Sequence, residues 1–173
     1  MAENTAYSII TKTNDEDSQL DMFIRLSLGA VNTSDYIELK IGCKPRYVVV
    51  ENFVDRTKLE WYENVTADVA ATAIALGTLY TIKTVGTTDW VALGAPSNTA
   101  GVQFTATAAG TGSSGTGYAI TNDNVAILTI ATGVRTLLTT SSILVRDRVI
   151  QISQSAGATV LAANKDIAVR AAA

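Results

Sequence analysis

The sequence is built largely from short stretches in which apolar and polar residues alternate, and this period of two restricts the fold more than any other feature. Residues 20–28 place Met22, Ile24, Leu26 and Leu28 on one face and polar residues mostly on the other, as a half-buried strand requires. Residues 37–41 alternate in the same way and stop at Gly42. Residues 47–53 begin apolar on both faces, which predicts a central strand.

Later stretches extend this pattern to the end of the chain. Asp55 and Arg56 form a polar turn, and residues 58–62 follow as a hairpin partner whose Leu59 and Trp61 should face the core. Further strand signals occupy residues 125–130, 134–138, 143–145, 149–152, 159–161 and 167–169. Many short strands with close turns predict an all-β fold, an antiparallel β-sandwich or barrel.

The middle of the chain differs in composition and predicts an inserted module. Residues 75–119 are rich in Thr, Gly, Ala and Ser, so the main β-domain would comprise residues 20–74 and 120–173. Within the insert, Tyr80 and Trp90 are expected to anchor a small core, because large aromatic side chains supply most burial in small domains. The Ala-rich stretch 67–76 suggests a short helix ended by Gly77.

The glycine-rich run 110–117 predicts a mobile tip or linker. A phosphate-binding loop would end in Lys followed by Ser or Thr and would open a helix, and neither feature is present.

The first 19 residues predict an extended N-terminal arm. The acidic run 14–18 has no periodic apolar face, whereas Tyr7, Ser8, Ile9 and Ile10 have the character of an edge strand that could add to a neighbouring sheet. No basic region followed by an apolar stretch opens the sequence, so a secretory signal is not expected. No apolar run approaches the ~20 residues that a membrane span needs, so no membrane partner is expected either.

The residue content excludes several classes of chemistry. The chain contains no histidine, which removes imidazole-based catalysis and His-containing zinc sites. Cys43 is the one cysteine, so no internal disulfide can form, and its expected role is that of a small buried apolar residue. The net charge of -3 with scattered Lys and Arg leaves no basic stripe for nucleic acid. We therefore expect no catalytic, cofactor-binding or metal site.

Two carboxylate arrangements are weaker alternatives. Asp55, Glu60 and Glu63 lie near Trp61 and Tyr62, which could stack on a sugar in a carbohydrate-active enzyme. The simpler interpretation is that these carboxylates face solvent on a hairpin whose aromatic residues pack inward. The polar runs 14–18 and 121–124 lack the Gly and closing Glu of a calcium loop.

Two parts of the chain resemble bacteriophage proteins. Residues 79–107, closed by the Gly-Thr run, resemble a small module that recurs in structural proteins of tailed phages, especially those that infect cyanobacteria. The flanking segments 42–52, 61–63 and 131–137 are similar to small phage proteins encoded among head genes.

This resemblance implies a virion component on the capsid surface, a decoration or cement protein. Its implied partners are the major capsid protein and copies of itself, with a homotrimer as the expected assembly, because cement proteins typically sit as trimers at three-fold positions. Tyr7, Ser8, Ile9 and Ile10 are then the candidate capsid-binding residues of the arm. The alternative is a tail-associated or fibre-like protein that binds the host surface, since the module also resembles pieces of tail proteins.

Overall fold

Almost all the regular structure is β-strand in this computed structural model, which describes residues 3, 7–14, 21–29, 35–41, 44–140, 142–154, 160–161 and 166–172. The prediction for Cys43 lies outside these residues. In chain order the strands are β1 Tyr7–Asn14, β2 Asp21–Leu28, β3 Tyr36–Lys40, β4 Tyr47–Asn52, β5 Thr57–Tyr62, β6 Ala67–Ala70, β7 Leu79–Thr84, β8 Gln103–Thr105, β9 Tyr118–Thr121, β10 Ala126–Thr129, β11 Arg135–Leu138, β12 Ile143–Arg146, β13 Val149–Ser153 and β14 Asp166–Ala172.

The chain divides into two units. The first, here called the sandwich unit, comprises Met1–Val65 and Asn124–Ala173, and the second, the insert unit, comprises Thr66–Asp123. The module predicted at residues 75–119 falls inside the insert unit. The insert unit starts earlier because β6 pairs with β9, which joins residues 67–70 to residues 118–121.

Two antiparallel sheets form the sandwich unit. The larger sheet has seven strands in the order β1-β2-β14-β4-β5-β10-β11, and the smaller has three in the order β12-β13-β3. Every pairing in both sheets is antiparallel. The larger sheet ends in two different strands rather than closing on itself, so the predicted all-β antiparallel fold is confirmed in its sandwich-like form and not as a barrel.

One hydrophobic core fills the sandwich unit. Alternate residues of β2, β4, β5 and β14 supply one side, and β3, β12 and β13 supply the other. Trp61 is 2% exposed and Leu59 is fully buried, so both face the core as predicted. Val160 and Leu161 join this core from a turn rather than from a strand.

Residues of the predicted N-terminal arm lie in the larger sheet. β1 pairs with β2 from Tyr7 opposite Leu28 to Asn14 opposite Met22, with a register shift between Ile9 and Thr11. Glu3 makes an isolated parallel bridge to Tyr36 at the start of β3. The partner of this segment in the structure is therefore its own chain, and β1 forms one edge of the seven-stranded sheet.

A four-stranded sheet, in the order β6-β9-β7-β8, forms the insert unit. The predicted helix over residues 67–76 is wrong, because Ala67–Ala70 is strand β6 and only Ala71–Ala73 make a single 3-10 turn. Pairing with β9 outweighs the helical preference of Ala in so short a segment. Tyr80, Trp90 and Phe104 are at the centre of the core of this unit, as expected for Tyr80 and Trp90.

The glycine-rich run is packed at both of its ends, around Gly110 and from Gly115 to Gly117, which corrects the prediction that the whole run is a mobile tip. A Cβ on Gly117 would collide with the carbonyl oxygen of Val85 and lie 2.7 Å from Cζ2 of Trp90, and a Cβ on Gly115 would lie 2.8 Å from backbone atoms of Thr88. The Gly117 N–H donates to the Thr88 hydroxyl at 2.8 Å. These glycines are needed because the backbone runs against neighbouring backbone and the Trp90 ring.

Candidate interaction surfaces

The described residues contain no group of acidic or cysteine side chains that could hold a metal ion. Among the same residues, no helix is long and apolar enough to cross a membrane. Two kinds of feature remain as candidates: surfaces that could contact another macromolecule, and the carboxylates near Trp61.

The carboxylates near Trp61 do not converge on a cleft. The Asp55 carboxylate accepts a hydrogen bond from the Asn52 amide at 2.8 Å and helps to close the β4–β5 turn. Glu63 pairs with Arg46 at 3.0 Å, and the Trp61 ring is in the core, where it cannot stack on a ligand. Each of these groups has a structural role.

Glu60 differs from its expected position in solvent, since the residue is only 6% exposed. Its Oε1 accepts a hydrogen bond from the Tyr62 hydroxyl at 3.1 Å and lies 3.1 Å from Lys58 Nζ. Its Oε2 lies 3.3 Å from Nη2 of Arg135 on β11. The expectation failed because period two places Glu60 on the outer face but does not reveal that neighbouring strands cover it.

The contact with Glu60 affects the pKa of the Tyr62 phenol. Burial raises the pKa of Tyr62, and the hydrogen bond to Glu60 raises it further, because loss of the proton would leave two negative groups in contact. The Tyr62 ring also packs on Tyr47, with 4.9 Å between the ring centroids.

Charges on the outer face of the seven-stranded sheet are largely paired with one another. Arg25 and Asp166 are 2.7 Å apart across β2 and β14. Arg170 lies 5.6 Å from the centroid of the Phe23 ring and 4.0 Å from the Glu51 carboxylate. Exposed pairs of this kind contribute little to stability, so we treat this face as a solvated surface rather than a binding site.

Exposed apolar side chains gather instead at one end of the seven-stranded sheet. Phe53 and Val54, in the β4–β5 turn, are 61% and 63% exposed, and Val134, which leads into β11, is 57% exposed. Because β5 pairs antiparallel with β10, the β4–β5 and β10–β11 turns lie at the same end. Leu137 on β11 is 47% exposed. We call Phe53, Val54 and Val134 the apolar rim, whereas Leu137, opposite Ile127, lies further along β11 from this end.

The candidate arm residues and the apolar rim lie on different parts of the sheet. Tyr7, Ser8, Ile9 and Ile10 belong to β1 at one edge, whereas Val134 belongs to the β10–β11 hairpin at the other edge. Sequence reasoning named the first group as candidates and did not name the second. The available signal was apolar residues directly beside turns, namely Phe53 and Val54 before Asp55, and Val134 after Gly133.

The insert unit has exposed apolar side chains of its own. Leu76, Val91 and Tyr118 are exposed, and they come from three different parts of its chain. Isolated exposed apolar residues are normal on soluble proteins, and these carry less weight than the apolar rim.

Comparison with known proteins adds no relative. No family model, no curated protein and no solved structure matches the chain. Any functional assignment must therefore be argued from the residues and surfaces described above.

Proposed function

We propose that the protein is a virion structural protein that decorates and stabilises a phage capsid by binding major capsid protein subunits, and that it acts on the capsid surface as a homotrimer. The resemblance of residues 79–107 and of the flanking segments to phage structural proteins motivates the proposal. The structural observation that supports it is the apolar rim, a set of exposed apolar side chains beside two turns of the larger sheet.

Physical reasons favour the apolar rim as an adhesive surface. Exposed apolar side chains that lie close together often mark protein contacts. Two turns side by side on a sheet can insert Phe53 and Val134 into a partner's surface without any change in the sandwich core. β1 offers a second contact, because it lies at an edge of the same sheet and carries the candidate capsid-binding residues Tyr7, Ser8, Ile9 and Ile10.

The test is co-sedimentation of the purified protein with empty heads assembled from the major capsid protein of the encoding phage. The full chain should pellet with the heads in a saturable ratio, and Phe53→Ser combined with Val54→Ser should weaken binding at least tenfold. Val91→Ser in the insert unit is the matched control and should bind normally. Failure of the full chain to bind heads would contradict the proposal.

The arm contribution needs its own variants. Tyr7→Ala with Ile9→Ala and Ser8→Ala with Ile10→Ala change alternate residues of the first part of β1. We expect one of the two pairs to weaken capsid binding while thermal unfolding of the protein stays cooperative. Unchanged binding for both pairs would remove the arm from the proposal.

The second candidate function is a tail-associated or fibre-like protein that binds the host surface. The observation that favours it is that the insert unit has a separate core and exposes Tyr118. Cryo-electron microscopy of the particle distinguishes the two functions, because a decoration protein covers the head in many copies and a fibre protein occurs in few copies on the tail.

A further inference from the structure

The two edges of the seven-stranded sheet differ in sequence and in strand length. β1 forms one edge with eight residues, and β11 forms the other with four. Within the described residues, the only strand that pairs with β11 is β10. Open edges of this kind present unpaired backbone groups to any extended chain that approaches.

The hydrogen-bond pattern of the β10–β11 hairpin identifies those groups. The Ile130 N–H donates to the Val134 carbonyl at 3.1 Å. Since every second pair in an antiparallel ladder is hydrogen-bonded, Thr136 and Leu138 bond to β10. The N–H and C=O groups of Arg135 and Leu137 therefore point away from the sheet.

Natural edge strands are usually protected by a charged side chain, and here that side chain, Arg135, is held by an ion pair while 57% of it remains exposed. Arg135 is the one charged residue of β11, and its guanidinium reaches across β10 to Glu60 on β5, where Nη2 lies 3.3 Å from Oε2. Glu60 is buried and fixed by Lys58 and Tyr62 as well. Leu137, whose backbone N–H and C=O also point away from β10, is 47% exposed.

We infer that β11 is a subunit contact that takes strand β1 of a second copy of this chain, so that the larger sheets of neighbouring copies continue edge to edge. The inference rests on the homotrimer of the proposed function. A cyclic trimer needs a heterologous contact, in which two different surfaces of the same chain meet head to tail. β1 and β11 are two such surfaces, and β-branched residues at Ile9, Ile10 and Thr11 suit β1 to strand pairing.

Substitutions at Leu137 test the contact through the oligomeric state. Leu137→Pro removes an outward N–H, which an edge strand tolerates, whereas Leu137→Ala keeps that N–H and removes only apolar surface. In sedimentation at micromolar concentration, the full chain should be a trimer, Leu137→Pro a monomer, and Leu137→Ala a trimer that dissociates at higher concentration than the full chain. Leu137→Lys keeps the backbone donor and adds an edge charge, and it should also be a monomer. It replaces Leu137→Pro as the test if the proline variant folds poorly.

Cysteine crosslinking identifies the occupant. In a Cys43→Ala background, Leu137→Cys combined in turn with single cysteines at residues 7–11 should give covalent dimers and trimers on oxidation for at least one position. The same oxidation is repeated with empty heads present. Crosslinks to the capsid subunit alone, a monomeric full chain, or a trimer that survives both Leu137→Pro and Leu137→Lys would each overturn the inference. A trimer with these properties that fails to bind heads would support the inference and contradict the proposed decoration function.

Discussion

The sandwich unit and the insert unit are both antiparallel β-structures, but they fill their interiors in different ways. The sandwich unit buries aliphatic side chains from two facing sheets, with one Trp among them. The insert unit has fewer strands and depends on Tyr80, Trp90 and Phe104, with the Trp90 and Phe104 rings edge to face at 5.9 Å. A small module that depends on a few aromatic contacts should therefore respond more sharply to single substitutions.

The insert unit also depends on hydrogen bonds between side chains and the backbone. In the insert unit, Asn98 Oδ1 accepts the Trp90 N–H at 2.6 Å, and Thr121 donates its hydroxyl proton to the Leu79 carbonyl at 2.7 Å. The buried Asp123 carboxylate accepts the Leu79 N–H at 2.9 Å. Such bonds fix the long turns that would otherwise leave buried backbone groups without partners.

Of the changes that test this difference, Trp90→Ala should have the largest effect on stability. The substitution removes a fully buried ring that also donates a hydrogen bond to the Val85 carbonyl, and we expect a loss of about 3–5 kcal/mol, enough to unfold the insert unit. Hydrogen exchange followed by mass spectrometry should show β7 and β8 exchanging rapidly while β4 and β5 remain protected. Val91→Ala is the control and should change nothing. Equal loss of protection in β4 and β5 would mean that the two units do not unfold separately.

Gly117→Ala should have the next largest effect on stability. The added methyl group meets the Val85 carbonyl, the Thr88 hydroxyl and the Trp90 ring, so we expect a loss of about 1–3 kcal/mol from overpacking. Gly112→Ala is the matched control in the same run, because a Cβ there meets no atom within 4 Å. If the two variants have the same thermal midpoint, Gly117 does not have the close contacts described above.

Alkaline pH should act on the sandwich unit through Tyr62. Its pKa is raised in the folded state, so the unfolded chain releases this proton first, and the stabilisation is complete below pH about 10 and lost as the pH rises further. Denaturant unfolding between pH 8 and 11 should show the decline, and Tyr62→Phe should reduce it. If Tyr62→Phe shows the same loss of stability with rising pH, that loss arises from another titrating group. Between pH 6 and 8 we expect little change, because the chain has no histidine.

Excision of the insert unit should have the smallest effect on the sandwich unit. β5 and β10 are neighbours, with Glu60 opposite Ile127, so a short Gly-Ser linker in place of Thr66–Asp123 spans their ends. We expect the circular dichroism spectrum and cooperative unfolding of a β-sandwich. Excision of residues 75–119 is the comparison, because it leaves β6 without half of β9 and should give a less soluble protein. Loss of folding in the first variant would show that the units depend on each other.

Sequence alone predicted the strands better than their arrangement. Alternation located β2, β3 and β5 because one face of each strand is mainly buried and the other mainly exposed. The order of apolar and polar residues in the sequence reflects this difference. It could not show that β14 pairs with β2 and β4, since strand order depends on contacts distant in sequence.

Two failures in the prediction of surfaces have a related cause. The packed Gly115 and Gly117 and a flexible linker have the same sequence signature, because glycine serves both close approach and mobility. Glu60 occupies an outward position by period, and only the three-dimensional neighbourhood of Lys58 and Arg135 shows that it is covered. The apolar rim was missed for the same reason, since exposure at a turn depends on what else packs there.

The position of β14 has a consequence for synthesis on the ribosome. Residues 166–172 lie between β2 and β4 in the seven-stranded sheet, so that sheet remains in two parts until these residues leave the exit tunnel. The insert unit is complete once residue 123 has emerged. Because domains fold as units during translation, the nascent chain should contain a folded insert unit while β2 and β4 still lack the strand that joins them.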